Sequence, residues 1–248
     1  MKRLRVFSRV FQESDEVKRI PRRSNQSLLD FPTYTIPEAA LYLAIPVRTL
    51  RYWVLDRPVW EIAGGDLDTP LLSFRDVAQA YYIDLVRRRF SLSPAKTREV
   101  LLEASKETKR QYPLLQKNIL VFFKHILMKK AATRKQSRAL IDLTQHRQLA
   151  MWDVVKPFAT RVEWNRRGQL VRIFPWRLWK GPDDSRTPVS IDPEIMSGRL
   201  IVTGTRIPVQ VVLQRNLAGE TVNQIAKDYK LPTSAINQAI EHLVHKAA

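Results

Sequence analysis

The sequence predicts an α+β protein that is mainly helical. Two segments, one near each end of the chain, show a helix cap, an apolar pattern with helical spacing and a turn, in that order. Short alternating apolar and polar runs beside them predict small antiparallel hairpins rather than one large sheet. A hydrophobic content of 44% in 248 residues is sufficient for packed cores.

Changes in pattern divide the chain into five segments. In order, they are a basic N-terminal arm at 1–32, a winged helical domain at 33–110, an α/β middle region with a hairpin at 111–174, a linker at 175–187, and a C-terminal module at 188–248. The C-terminal module is predicted to form a β-hairpin followed by a helix-turn-helix.

The positive charge is concentrated in front of the C-terminal module. The whole chain has 42 Lys and Arg against 24 Asp and Glu, a net charge of +18. Six basic and five acidic residues follow residue 186, so the first 186 residues hold 36 basic and 19 acidic residues. Neutralising phosphates drives nucleic-acid binding, so a polyanion is the expected partner of the front part. A basic surface kept for solubility is the alternative.

Several functional classes lack their sequence features. The chain has no cysteine, which excludes disulfides, Cys-based zinc sites and thiol nucleophiles, and fits a reducing cytosol. No apolar run reaches membrane-spanning length, and no secretory signal is recognised at the start. We therefore expect a cytoplasmic, nucleoid-associated protein with no membrane partner.

Nothing in the sequence points to catalysis. Phosphate-binding loops, dinucleotide-binding glycine motifs and nucleophile elbows are all missing. His242 and His245 lie three residues apart near the end of the chain, and we expect a solvated helix end there rather than a metal site. The sequence predicts no enzyme, no cofactor and no metal.

The first helix-turn-helix lies at the start of the domain 33–110. Thr35-Ile36-Pro37-Glu38 has capping-box spacing, 44–46 form a turn, and a second helix begins at Val47. Leu50 and Trp53 are expected to face inward. The other faces carry Arg48, Thr49, Arg51 and Tyr52. Side chains of these types commonly contact base edges and phosphates. An ordinary helical hairpin with a polar outer face is the alternative.

A wing and two further helices follow. Gly64-Gly65-Asp66 lies between apolar stretches at 60–62 and 71–73, which predicts a hairpin. A long helix is expected from Phe74 through Arg89, and another begins at Ser93-Pro94, where serine can cap and proline suits the first turn.

Together these motifs resemble the MerR-like and excisionase-like winged-helix family. The resemblance is carried by Tyr34–Ala40, by Thr49–Trp53 and by the helix from Ser73. It implies binding of double-stranded DNA, with the second helix as the recognition helix and Arg57 to Asp68 as the wing. The implied DNA-contacting residues are Thr35, Arg48, Thr49, Arg51, Tyr52 and Arg57.

The middle region shows β-like runs at 119–123 and 139–143, a possible helix at 148–158, and a hairpin. The arms of this hairpin are 161–164 and 170–174, joined across Asn165-Arg166-Arg167-Gly168. Its arginines are candidates for contact with a nucleic acid or an acidic protein, or else charges that protect a sheet edge. These arginines are Arg161, Arg166, Arg167 and Arg172.

In the C-terminal module, Val189–Ile191 and Leu200–Val202 predict a second hairpin. A helix closed by Gly219 follows, and then Thr221-Val222-Asn223-Gln224 begins the next helix with capping-box spacing. The last helix is expected to start at Thr233-Ser234. The outer face of this second helix-turn-helix is polar, yet the module as a whole is nearly neutral, which favours protein contact, including self-association, over base reading.

This module resembles a small family of helix-turn-helix domains associated with VapB-type antitoxins. The matching residues are Ile191-Asp192-Pro193, Gly198-Arg199, Val202–Val209, Gly219 and the pattern from Ile225 to Leu243. Leu200 departs from the family, which usually has proline there. A MerR-like front, a β-containing middle and this module together resemble antitoxins paired with a PIN-like ribonuclease toxin.

The resemblance implies an antitoxin of a type II toxin–antitoxin system. Such a protein neutralises a PIN-like toxin and represses its own promoter, as a homodimer or a higher toxin–antitoxin assembly. A stand-alone DNA-binding transcription regulator, with a C-terminal module that serves oligomerisation, is the alternative. Arg199 and Arg206 are candidate partner contacts, although for Arg206 a bond within its own module is the favoured alternative.

Overall fold

A computed structural model describes residues 27–58, 60–65, 69–89, 93–115, 161–175 and 187–244. Seven α-helices and three two-stranded antiparallel sheets in these ranges confirm the predicted α+β class. The predicted strands at 119–123 and 139–143, the helix at 148–158 and nearly all of the linker lie outside the described residues.

The chain enters its first helix through a short strand. Strand β1 spans Tyr34–Thr35 and helix α1 spans Ile36–Leu43. As predicted, the Thr35 hydroxyl caps α1 by accepting the backbone N–H of Glu38 at 3.2 Å. The Glu38 carboxylate also accepts the Tyr42 hydroxyl at 2.8 Å, one turn along the helix. Burial raises the pKa of Glu38, and hydrogen bonds from Tyr42 and from the Thr35 backbone oppose that shift.

A tight turn separates α1 from the second helix. Ala44 adopts the left-handed conformation with φ 54°, and Ile45 N–H donates to the Ala40 carbonyl at 2.9 Å. Helix α2 spans Val47–Arg51 and continues as a π-helical segment over Tyr52–Asp56, which the apolar spacing did not predict. Leu50 and Trp53 are buried as predicted.

The wing differs from its prediction in its pairing. Strand β2, Leu71–Leu72, bridges Gly64 as expected, but its ladder partner is β1, in antiparallel register. The sequence did not predict strand β1, because two residues are too few to show strand periodicity. The turn of the wing, 66–68, lies outside the described part of the chain.

Two helices form the base of the winged domain. Helix α3 spans Phe74–Arg89 and helix α4 spans Pro94–Thr108, which confirms the predicted extent of α3 and the predicted start of α4. The inner face of α3 is fully buried and provides much of the core. Its buried apolar side chains are Phe74, Val77, Ala78, Ala80, Tyr81, Tyr82 and Ile83.

The hairpin of the middle region is confirmed. Strands β3, Val162–Trp164, and β4, Leu170–Ile173, pair antiparallel around a turn in which Gly168 has φ 75°. Ile173 also pairs with Ile191 through backbone hydrogen bonds of 3.1 and 2.9 Å. The hairpin is therefore joined to the C-terminal module by main-chain bonds.

The C-terminal module follows the predicted order. Strands β5, Val189–Ser190, and β6, Ile201–Val202, pair antiparallel around a 3₁₀ turn at Met196–Gly198. Helices α5, α6 and α7 follow, and a complete capping box between Thr221 and Gln224 starts α6. The bounds of these three helices are Val209–Leu217, Val222–Tyr229 and Thr233–Val244.

Helix α1 packs directly against the C-terminal module. Gly198 lies under the Tyr34 ring, so that a Cβ built on Gly198 would stand 1.9 Å from the Tyr34 hydroxyl. The His242 Nε2 lies 2.8 Å from the Tyr42 carbonyl oxygen. The expectation of a solvated helix end is wrong for His242, which is 1% exposed because α7 docks on α1. One cluster of buried apolar residues runs through both modules.

We expect Gly198→Ala to destabilise the protein by about 2–4 kcal/mol, from a strained positive φ and a clash with Tyr34. Gly168→Ala is the matched control, since Gly168 has φ 75° but nothing lies within 4 Å of its added Cβ. The control is expected to cost about 1–2 kcal/mol. Urea unfolding of both variants measures the difference, and equal losses would show that Tyr34 does not pack closely on Gly198.

Candidate nucleic-acid interface

The two faces of α2 differ sharply in exposure. Leu50 is 0% exposed and Trp53 is 3% exposed, so they anchor the helix on the core. Arg48 is exposed on the other side, and the Arg51 side chain is 61% exposed. The helix thus presents two guanidinium groups to solvent, directly after the turn of the first helix-turn-helix.

The other residues predicted to contact DNA lie in less open positions. Thr49 is half-buried, and Tyr52 is half-buried with its ring packed against the core cluster. The Thr35 hydroxyl is engaged as the cap of α1. Arg57 is exposed just after the π-helical segment, at the start of the wing. The structure therefore brings Arg48, Arg51 and Arg57 to the surface of one continuous segment.

Arg51 has an acidic neighbour that the sequence pattern did not single out. Its Nε lies 3.6 Å from Asp56 Oδ1, and both side chains are about half-exposed or more. An exposed ion pair of this kind contributes little to stability. Its importance is electrostatic, because a phosphate that approaches Arg51 has to compete with the Asp56 carboxylate.

Side chains of α3 contact the turn between α1 and α2. Asp84, which is 6% exposed, pairs with Arg88 at 2.6 Å and with Arg87 at 3.5 Å. Arg88 in turn donates to the Ala44 carbonyl oxygen at 3.3 Å. Burial raises the pKa of Asp84, and the two arginines oppose that shift. Asp84 and Arg88 thus connect α3 to the turn that precedes α2.

A buried carboxylate holds the wing to the start of α3. Asp76 accepts hydrogen bonds from the Trp60 indole at 2.8 Å, the Ala63 N–H at 3.1 Å, and the Ser73 N–H and hydroxyl at 2.8 and 2.7 Å. Burial raises the pKa of Asp76, whereas these four hydrogen bonds lower it. The sequence analysis missed this role, since an aspartate in the first turn of a helix is common for other reasons.

Two side chains beyond Asp76 also hold the wing backbone. Arg98 on α4 donates to the carbonyl oxygens of Arg57 and Pro58 at 2.7 and 3.0 Å. Gln111 donates to the Glu61 carbonyl oxygen at 2.8 Å. The wing is therefore positioned by residues that follow it in sequence, which allows α2 and the wing to present one surface.

The residues predicted to contact a partner protein divide by exposure. Arg166 and Arg167 are exposed at the tip of the β3–β4 hairpin, and Arg199 and Arg206 are exposed on the C-terminal module. Arg161 is only 2% exposed, and its charge lowers the pKa of buried Tyr81, whose pKa is raised overall by burial. Arg161 thus lies inside the fold rather than on a surface that a partner can reach.

The described ranges hold no group of three or more His, Asp or Glu side chains placed to bind a metal ion. Within the same ranges, no helix is both long enough and apolar enough to cross a membrane.

Comparisons with known proteins find a family match for part of the sequence and a structural match for most of the fold. Residues 189–242 match the family described as a protein of unknown function, DUF433. The chain is also similar to the X-ray crystal structure of Rv2018 from Mycobacterium tuberculosis, with a TM-score of 0.64 and 20% sequence identity over 86% of this chain and 99% of that chain. No curated protein matches the sequence. At this identity the similarity shows a shared fold.

We expect Asp76→Asn to lower the free energy of unfolding by about 2–3 kcal/mol, because the amide puts an N–H₂ group among four donors. Asp56→Asn is the control, since it also replaces a carboxylate by an amide but in an exposed ion pair. It is expected to lower the free energy of unfolding by less than about 1 kcal/mol. Urea denaturation compares the two variants. A loss for Asp76→Asn no larger than the control would rule out Asp76 as the anchor of the wing.

Proposed function

We propose that this protein binds double-stranded DNA through α2 and the wing, and that it acts as an autorepressing antitoxin in a type II toxin–antitoxin system. The observation that carries the DNA-binding part is the exposure of Arg48 and Arg51 on a helix whose opposite face, Leu50 and Trp53, is fully anchored. Arginines on a rigid second helix are suited to guanine edges and to phosphates.

The distribution of charge supports this placement. The first 186 residues carry nearly all of the net charge of +18, whereas the C-terminal module is close to neutral. A binding surface for a polyanion belongs where the excess positive charge lies. We therefore propose that the first helix-turn-helix contacts DNA and that the second, formed by α6 and α7, does not.

Self-association through the C-terminal module is part of the proposal. Val211 and Leu217 on α5 are 36% and 59% exposed, and Val244 at the end of α7 is 51% exposed. Helices α5 and α7 pack on each other, and both carry uncovered apolar side chains. Burying them between two copies would place two DNA-binding domains on paired half-sites, as a homodimer or within a larger assembly.

The antitoxin part rests on the resemblance of the C-terminal module and on the exposed arginines outside the DNA surface. Arg166, Arg167, Arg199 and Arg206 are available to an acidic partner. In this proposal the PIN-like toxin contacts these residues. Arg161 is left out of the surface because it is buried.

We expect Arg51→Ala to weaken binding to DNA from upstream of the gene by ~1–3 kcal/mol if Arg51 contacts a base, and to lower the salt dependence of binding by about one counterion if it contacts a phosphate. Lys227→Ala is the control, because it removes the same charge from exposed α6. Fluorescence anisotropy at several salt concentrations measures both effects. Unchanged binding in both Arg48→Ala and Arg51→Ala would remove α2 from the interface.

Asp56→Asn is expected to strengthen DNA binding by about twofold to fivefold, since it frees Arg51 and removes a negative charge next to the phosphates. The gain should shrink as salt is raised. Glu194→Gln removes the same charge from the C-terminal module and is expected to leave binding unchanged. If the two variants behave alike, the Arg51–Asp56 pair does not face the DNA.

A stand-alone transcription regulator is the competing function. The exposed apolar side chains of α5 and α7 are equally compatible with it, since a regulator can also associate through them. Co-expression with the product of the adjacent gene separates the two. The antitoxin function predicts that this neighbour is toxic when expressed alone and co-purifies with the full chain. A harmless neighbour, or one that does not co-purify, would leave DNA-binding regulation as the function.

A further inference from the structure

The C-terminal module contains a cleft that the proposed DNA contact does not use. It has a volume of about 470 Å³ and lies between the β5–β6 hairpin, strand β4 and the loop after β6. Ligand-binding pockets in proteins are commonly ~300–1,000 Å³. Residues that line the cleft include Arg172, Ser190, Ile195, Ile201, Thr205 and Arg206.

The two arginines of the cleft differ in their electrostatic surroundings. Arg172 contacts Asp192 Oδ2 and Glu163 Oε2, each at 2.7 Å, so its charge is balanced within the fold. Arg206 is exposed, and its guanidinium forms no ion pair with any described residue. Among the described residues, Arg206 is therefore the cleft's cation without a carboxylate partner, and the half-buried Ile195 lines the same cleft.

The loop that carries Arg206 is held rigid. The Thr205 hydroxyl donates to the Val202 carbonyl oxygen at 2.8 Å and accepts the Ile207 N–H at 3.0 Å. Gly204 has φ +77°, and a Cβ added there would meet nothing within 4 Å. The backbone beside Arg206 is therefore both fixed and open to the cleft. A fixed loop loses little conformational freedom when a ligand binds.

We propose that this cleft docks an acidic segment of the partner protein, with a carboxylate paired to Arg206 and an adjacent apolar side chain packed on Ile195. The proposal rests on the partner-binding role of the C-terminal module proposed above. A guanidinium and a carboxylate form paired, charge-assisted hydrogen bonds. A nucleic acid fits less well, because the module carries almost no net positive charge with which to neutralise a row of phosphates.

Selection from a phage library of random 12-residue peptides on the full chain tests this assignment. We expect enrichment of peptides with Asp or Glu next to a large apolar residue. The best peptide should bind Arg206→Gln about tenfold more weakly than the wild type. Lys227→Gln is the matched control, since it removes one exposed charge from the same module outside the cleft, and it should bind within about twofold of the wild type.

Two results would overturn the docking site. One is selection of the same peptides, with unchanged affinity, by the Arg206→Gln chain. The other is displacement of the best peptide by sodium acetate at the concentration at which an equally acidic peptide without apolar residues displaces it. That result would indicate a site for small carboxylates. NMR shifts on peptide binding are expected at Gly204, Thr205 and Arg206.

The neighbouring gene product separates failure of the cleft from failure of the proposed function. If it co-purifies equally with the wild type and with Arg206→Gln, the antitoxin function stands and the cleft is not where the partner docks. If it co-purifies with neither, the antitoxin function fails, while the peptide selection still decides whether the cleft binds acidic segments.

Discussion

The burial of helix α1 on two sides is the constraint on which the rest of the structure depends. Its N-terminal approach packs on Gly198, and its last turn meets His242 through the Tyr42 carbonyl oxygen. A helix of eight residues is too short to be stable alone. Its geometry is therefore set by the C-terminal module on one side and by α3 on the other, and the first helix-turn-helix cannot be treated as an independent unit.

This packing determines which surface remains open. With α1 covered, α2 is the exposed member of the pair, and its arginines face away from the core. Asp76 accepts hydrogen bonds from the Trp60 indole and from the wing backbone, and Arg98 donates to two carbonyl oxygens of the wing. These bonds align the wing with α2. The surface of α2 and the wing, which we propose binds DNA, thus depends in part on the buried hydrogen bonds of Asp76, which are costly to leave unmade.

Local sequence signals predicted the secondary structure well and the long-range contacts poorly. The cap at Thr35, the extent of α3 and the complete capping box at Thr221 follow from short-range chemistry and are confirmed. The pairing of β1 with β2 and the burial of His242 and Arg161 depend on residues far apart in sequence, which periodicity cannot place. The π-helical segment after α2 likewise has no signal in the apolar spacing.

We propose that one fixed surface, made of α2 and the wing, binds DNA and that the C-terminal helix-turn-helix does not. Amide hydrogen exchange of the full chain, with and without DNA from upstream of its gene, distinguishes the two surfaces. We expect slower exchange over residues 47–56 and 57–65, with 222–244 unchanged. Slower exchange in 222–244 without any change in 47–56 would contradict it.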